Sequence, residues 1–517
     1  MKNAIITGVS LMALAIAAPA LAQSISTIDQ TGNANAAAVT QTGSNTSDID
    51  QAGEGNSAAA TQSGSTNSST IDQDALGAIA DVTQTGTGNT STVTQDDETV
   101  TESTGIVGFD PEAIVSQTGN QNQSTIDQDA TGNSRNLRAL VTQTGDMNIS
   151  TVDQEAGDPG ISTGLYADVL QTGNSTSTVD QDANGQGSRH LSATVTQSDS
   201  TSTINQSTQA DQARFLTATV TQANGATSTV NQTATGIESN DMDAIVTQDG
   251  ASTTTVTQTF SNDGTANFLA VVNQEGAGNI ANVTQRDQGF GTIGNADGVL
   301  SANVNQMGDG NITDLVQENK SALADIDQTG NGNMVDAFQG AAGNELIVLQ
   351  TGNTNTSDSM QTGLNNSADV LQAGNGATST INQSGRNDLA FVEQLVGSDG
   401  STSLITQTGA GGPRSENSAT VVQAGLTNIS EITQDGFNST ALLDQSGAGN
   451  TSMITQTGTV DGLGNSADVT QSGASNESTI LQNGSLNSAT VTQSSDNNVS
   501  NISQTGNGGM VTVTQGF

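Results

Sequence analysis

The chain contains no cysteine and no tryptophan, and its 517 residues include only 4 prolines, one histidine and 2% aromatics. Without cysteine no disulfide can staple the fold. With so few large rings no ordinary compact core can be filled. His190, the only histidine, stands next to Arg189 in a stretch that reads as an insertion, which all but removes Ser/His/Asp and Cys/His catalysis. Basic residues are equally scarce. Nine Lys and Arg stand against 52 Asp and Glu, a net charge of −43, which excludes the usual phosphate-binding face of a nucleic-acid binder. Residues 1–22 read as a secretory signal, with Lys2, a mainly apolar stretch from Ile5 to Ala18, and Ala20-Leu21-Ala22 before Gln23. After them no stretch approaches the ~18 apolar residues of a membrane span. The expectation is an exported chain with no membrane span, no nucleic-acid partner, no cofactor and no resident metal.

What the chain does have is a metre. Forty glutamines recur, most in the setting Val/Ile-x-Gln, and from Gln306 through Gln317 and Gln328 to Gln394 successive intervals are all equal. Self-similarity at a short fixed period signals a solenoid or fibrous array, in which each unit buries its face only against its neighbours. Within a unit the period is 2. In QSGAGNTSMITQ, Asn450, Ser452, Ile454 and Gln456 share one face, predicted inward, and Thr451, Met453 and Thr455 the other. Gly447 and Gly449 precede the strand, where a reversal needs positive φ or a close backbone approach.

A longer period emerges from the residue before each glutamine. Asp29, Asp50, Asp72, Asp127, Asp153 and Asp180 alternate with Thr40, Thr61, Thr83, Ser116 and Thr142. Two strand types therefore alternate, so that one coil spans two glutamine intervals, as from Gln51 to Gln73. The expected fold is all-β: a parallel two-sheet β-solenoid over residues 23–517, with two strands per coil, about 20 coils and cross-β, amyloid-competent edges. Long gaps such as Gln154 to Gln171 and Gln206 to Gln222 follow the Asp-type strand or its equivalent, placing expanded loops on one edge within residues 129–273.

Apolar burial in so lean a coil falls short of the backbone ordering cost of roughly 1 to 2 kcal/mol per residue. Stacked amides must contribute, hydrogen-bonding to their own kind in adjacent coils. The predicted inward ladder comprises Gln51, Gln62, Gln84, Gln95, Gln274, Gln285, Gln306, Gln317, Gln328, Gln339, Gln350, Gln361, Gln372, Gln383, Gln445 and Gln456. Asn56, Asn89, Asn279, Asn311, Asn333, Asn450 and Asn476, five residues after a glutamine, join it.

The unit resembles the curlin repeat QxGxGNxAxVxQ of bacterial curli subunits. QAGEGNSAAATQ (51–62), QTGTGNTSTVTQ (84–95), QEGAGNIANVTQ (274–285) and QSGAGNTSMITQ (445–456) carry the resemblance, and it extends in some form over nearly all of residues 23–517. It implies a secreted, non-enzymatic subunit of extracellular cross-β fibres that support adhesion and biofilm matrix. The implied partner is the chain itself, joined by a related nucleator subunit and by extracellular surface or matrix ligands. Two departures stand out: the array is several times longer than a usual curlin subunit, and Ile28-Asp29-Gln30 begins the repeats close to the signal, where the family carries an export-targeting segment.

Competing readings are a monomeric secreted adhesin or ice-binding solenoid, suggested by Thr-x-Thr pairs such as Thr194 and Thr196, and a carbohydrate-active β-helix enzyme, which would need a converging carboxylate pair. The acidic residues are instead spread through the repeats, where Asp on an exposed strand face confers solubility and restrains lateral aggregation. A stack of Asp29, Asp50 and Asp72 could alternatively hold divalent cations. Arg135, Arg138, Arg189 and Arg214 fall in or beside the expanded loops and read as solvated loop charge.

Overall fold

Alternation of apolar or amide residues with Thr, Ser and Asp favours strands in which one face is buried, and the chain folds accordingly. A computed structural model describes residues 23–96, 111–130, 135–157, 163–184, 189–208, 214–235, 240–261, 266–287, 298–318, 321–409, 415–458 and 463–516. The signal-like segment 1–22 lies outside these, as do the centres of the expanded gaps. Among the described residues there are 38 strands and no helix. The fold is an all-β parallel solenoid.

The chain divides into two units, residues 1–249 with 257–266 and 291–295, and residues 250–256, 267–290 and 296–517. In the first, Ile25–Gln30 pairs in parallel with the second half of Ala36–Glu54, bringing Asp29 beside Asp50 and Gln30 beside Gln51. Asp50 and Gln51 in turn face Asp72 and Gln73, while Thr40 and Gln41 of the same strand face Thr61 and Gln62. Asp29, Asp50 and Asp72 thus lie in a different column from Thr40 and Thr61, as the alternation predicts, although the Asp-type column also takes in Thr94 and, further on, Asn205 and Asn231. In the second unit Leu323–Thr329 pairs in parallel with Glu345–Thr351, setting Gln328 beside Gln350, and Ser367–Gln372 follows with Gln372 beside Gln350. There the Asp/Thr distinction dissolves further: Asp327, Leu349, Leu371 and Glu393 occupy one column. The position faces outward, so packing does not fix its identity.

Facing follows the predicted period. Asn450, Ser452, Ile454 and Gln456 are buried, Thr451 and Met453 exposed, and Thr455 half-buried. Val and Ile columns such as Val82, Val115 and Val141 are sealed from solvent, each side chain stabilising by about 1.5 to 3 kcal/mol. At the turn, Gly449 takes φ 67° and a side chain on Gly447 would run into the carbonyl oxygen of Gly473. The two glycines therefore answer the two needs separately, one for handedness and one for close stacking.

The expansion within residues 129–273 is only partly loop. Strands Arg135–Thr144, Thr163–Thr172, Arg189–Ser198, Arg214–Ala223 and Asn240–Asp249 each have 10 residues, against 6 in Ser367–Gln372. The added residues carry a buried column of Leu137, Leu165, Leu191, Leu216 and Met242. These coils widen the interior as well as lengthening an edge. The remaining inserted residues, 131–134, 158–162, 185–188, 209–213 and 236–239, lie outside the described part and all follow strands of the Asp-type column or its in-register equivalents.

Candidate functional site: amide ladders and open edges

Every predicted ladder glutamine is buried, between 0 and 3% exposed. Each sits at the inward end of its strand because the period-2 pattern places it on the same face as the Val or Ile two residues earlier. In the first unit one column runs from Gln41 through Gln62, Gln84, Gln117 and Gln143 to Gln171, each Nε2 donating to the next Oε1 at 2.8 Å. The other runs from Gln30 through Gln51, Gln73, Gln95 and Gln128 to Gln258. In the second unit Gln274, Gln306, Gln328, Gln350 and Gln372 continue in the same manner to Gln445 and Gln515. Gln285, Gln317, Gln339, Gln361, Gln383 and Gln456 belong to the column that ends at Gln504.

Beyond Gln30, which makes only its ladder bond, the second N–H of the column amides has its own partner. Gln328 Nε2 also donates to the Ile312 carbonyl at 3.1 Å, and Gln350 to Met334 at 3.1 Å. One glutamine therefore ties two neighbouring coils through its ladder bond and two successive strands through its backbone bond. This satisfies buried amide groups that would otherwise cost about 1 to 3 kcal/mol each.

The asparagines are buried as predicted, but their chemistry differs from a simple amide ladder. Asn333 donates its backbone N–H to Asn311 Oδ1 (3.0 Å), and its Nδ2 donates to the Gly352 carbonyl (2.9 Å). Asn311 makes the same pair of bonds to Asn279 and Gly330, Asn450 accepts from the Asn476 backbone, and Asn56 accepts from Ala78 N–H. Amide-to-amide contact occurs in places, as between Asn89 Nδ2 and Asn67 Oδ1 at 3.1 Å. The main task is to cap backbone groups that the turn leaves without strand partners. Sequence spacing identified the position; only the turn geometry reveals which groups it serves.

Asp388 takes an asparagine's place in this series. Its backbone N–H donates to Asn366 Oδ1, its own Oδ1 accepts from Asn417 N–H, and it is fully buried. An ionised carboxylate offers no donor where Asn366 uses Nδ2 to reach the Gly385 carbonyl. Burial pushes the Asp388 carboxyl up, against opposing hydrogen bonds from Asn417 and Ser415. Asp388→Asn is expected to stabilise these coils at pH 7 by about 1 to 3 kcal/mol, read by chemical denaturation or hydrogen exchange. Because the folded-state pKa is raised, folding favours the protonated form, so this advantage shrinks as pH falls through the raised value toward the ordinary 3.8.

The acidic outer column behaves similarly. Asp127, Asp153 and Asp180 lie in register on adjacent strands. Burial first, then the charges of Asp180, Asp127, Glu155 and Asp129, hold the Asp153 carboxyl above its usual value. Asp153 therefore costs stability at neutral pH and less as the solution is acidified. Asp153→Asn is expected to raise the melting temperature at pH 7, by an amount that shrinks as pH falls through the raised value and vanishes below the ordinary 3.8, in thermal scans at matched ionic strength. Asp29, Asp50 and Asp72 form a comparable exposed stack. Among the described residues no group of three or more His, Asp or Glu is arranged to hold a metal ion.

The arginine and histidine readings require correction. Arg189 and Arg214 are in register at inward positions and entirely buried, not solvated. Arg138 keeps a surface role, paired with Glu112 at 2.9 Å. Arg135 begins its strand at the same register position as Arg189. His190 belongs to a strand, where its ring stacks on Phe215 at 5.4 Å and on Tyr166 at 6.3 Å. The signal was present in the sequence: Arg189-x-Leu191-x-Ala193-x-Val195-x-Gln197 extends the period-2 alternation upstream of the unit. Thr194 and Thr196 face Thr219 and Thr221, but the rank is interrupted by Asp168 and Leu170 on one side and Ile245 on the other.

Among the described residues Ile25–Gln30 pairs on one side only, as do Val499–Thr505 and Met510–Gln515. Ile25 is 54% exposed and Met510 82%.

Stacked parallel coils, amide columns and glycine-tight turns define a structural repeat solenoid. A family model described as the curlin associated repeat matches residues 44–74, 431–458 and 462–494. These three stretches thus carry the curlin associated repeat, in agreement with the resemblance of the unit. No curated protein matches the chain.

Proposed function

We propose that this protein is a secreted structural subunit of curli-like amyloid fibres, supporting cell adhesion and biofilm matrix, with no enzymatic activity. Each coil contributes one strand to each of two sheets, about twenty coils in all, and copies add end to end. Self-association is the primary partnership, with a related nucleator subunit and extracellular matrix or surface groups as further contacts.

The observation that carries this reading is the polarity of the amide columns. Every ladder bond described above runs from Nε2 of one glutamine to Oε1 of a later one. At the beginning of the array Gln30 and Gln41 donate onward to Gln51 and Gln62, leaving their Oε1 atoms toward the open edge. At the other end Gln504 and Gln515 accept from Gln482 and Gln493, and each gives one N–H to a backbone carbonyl, Ser488 and Val499 respectively. One N–H of each remains for a further acceptor. Acceptors at one edge and donors at the other suit head-to-tail addition, and unpaired strand edges supply the backbone bonds.

Purified chain lacking residues 1–22 should pass from monomer to pelletable, unbranched filaments, followed by sedimentation and negative-stain microscopy. Replacing Gln504 and Gln515 together with Glu removes both donors, and should slow assembly at least about ten-fold, the factor one lost hydrogen bond to each of two acceptors gives. The same two charges placed outward at Thr512 and Thr514 should slow it much less. Equal slowing by both pairs, or a chain that stays monomeric, rejects the reading.

A further inference from the structure

Burying a guanidinium without hydrogen-bond partners is among the least favourable things a fold can do, yet among the described residues of the first unit Arg214 is in that position. Arg214 opens the strand Arg214–Ala223, faces inward and is 0% exposed, and its Nε, Nη1 and Nη2 have no hydrogen-bond partner. Arg189 occupies the same position on the preceding strand of its column, also fully buried. On the preceding strand in sequence, which contacts that of Arg214, Thr208 closes Thr201–Thr208; it too is 0% exposed, and its Oγ1 has no partner. Its in-register neighbours are Ala183 and Ala234, so a single hydroxyl interrupts a column of methyl groups in the coil that carries Arg214.

We propose that Arg214 and Thr208, with Arg189 alongside, form an internal binding site for a small oxyanion of the sulfate or phosphate type. The chemistry of the donors selects this class. A guanidinium presents a planar fork that matches two oxygens of an oxyanion, and the threonine hydroxyl can donate to a third. The Asp182 carboxylate interacts electrostatically with Arg189, so the guanidinium of Arg214 carries the charge that attracts the anion, and its two-pronged fork favours an oxyanion over chloride. The column of Ala183 and Ala234 supplies small neighbours around the hydroxyl. Burial, and then the charge of Arg189, push Arg214 down to about 10, and a bound anion opposes both causes. In a chain of net charge −43 such a site on the outside would be masked by the acidic surface; the widened coils place it inside. The ion would act as a structural pin for those coils.

The test uses the whole chain lacking residues 1–22, exchanged into chloride buffer and then equilibrated by dialysis with radiolabelled sulfate or phosphate at fixed ionic strength. The expected result is saturable retention of about one anion per chain, as a single buried guanidinium fork implies. Arg214→Met should weaken retention at least about ten-fold, the factor of one lost charge-assisted hydrogen bond, with Arg214→Lys in between. Thr208→Val, which keeps both arginines and the volume, should weaken it by a smaller factor and covers the case in which Arg214→Met does not fold. Retention unchanged in Thr208→Val and Arg214→Lys, or no saturable retention by the native chain, overturns the site. The readout is taken on monomeric protein, so its failure is distinct from a failure to assemble.

Discussion

Gln350→Leu is expected to melt the coils around it while leaving distant coils folded. Gln350 is fully buried, accepts from Gln328 Nε2 at 2.9 Å, and donates to Gln372 Oε1 at 2.8 Å and to the Met334 carbonyl at 3.1 Å. Leucine fills nearly the same volume but offers neither donor nor acceptor, so three buried polar groups lose a partner. At about 1 to 3 kcal/mol for each orphaned group, the local penalty is of order 3 to 6 kcal/mol after relaxation. In a one-dimensional array that penalty falls on the affected coil and its neighbours rather than on the whole chain. Hydrogen exchange should therefore show lost protection from about Gln328 to Gln372 and little change near Gln456. Replacing Gln328, Gln350 and Gln372 together should also slow fibre assembly far more than replacing the half-buried outward Thr455 or Thr492. Equal effects would mean that the inward amides are not what joins the coils.

The second large effect lies at a turn. Gly330 has φ 114°, and a methyl group there would collide with the carbonyl oxygen of Gly352 in the next coil. Backbone is the obstacle, so no side-chain movement relieves the clash. Gly330→Ala should cost roughly 3 kcal/mol or more and force adjacent coils apart. Two residues on, Gly332 has φ 67°, and an added methyl would meet only Thr354 Cγ2 at 3.5 Å. Thr354, one coil later, itself adopts φ 58°. Gly332→Ala should therefore cost only about 1 to 2 kcal/mol of left-handed strain, and Gly332→Asn less. Thermal unfolding of the three variants side by side measures the difference; a Gly332→Ala effect as large as that of Gly330→Ala would reverse the assignment of close stacking to the first glycine.

These residues also mark how far the sequence could be read. The glutamine metre, the separation of Asp29, Asp50 and Asp72 from Thr40, Thr61 and Thr83, and the facing of Asn450 through Gln456 follow from period and spacing, because a strand has only two faces and a parallel array repeats them in register. The role of the asparagines was half legible: their burial follows from spacing, whereas their bonds to backbone N–H and carbonyl groups depend on turn geometry that spacing does not encode. Arg189, Arg214 and His190 were misread because residues outside the regular unit were assigned to loops. Strands in that region lengthen and carry the alternation further upstream, so charged residues enter the interior and rings stack along the outside. A buried arginine runs against every compositional expectation, and pattern alone had to outweigh residue type to find it.

The central claim is that copies stack along the direction in which the coils stack within one chain. Fibre diffraction from aligned filaments of the mature protein tests it most directly. Head-to-tail stacking predicts a sharp meridional reflection at about 4.7 to 4.8 Å along the filament axis. Filaments in which that reflection falls on the equator, or solutions that yield no filaments and sediment as monomers, would contradict it.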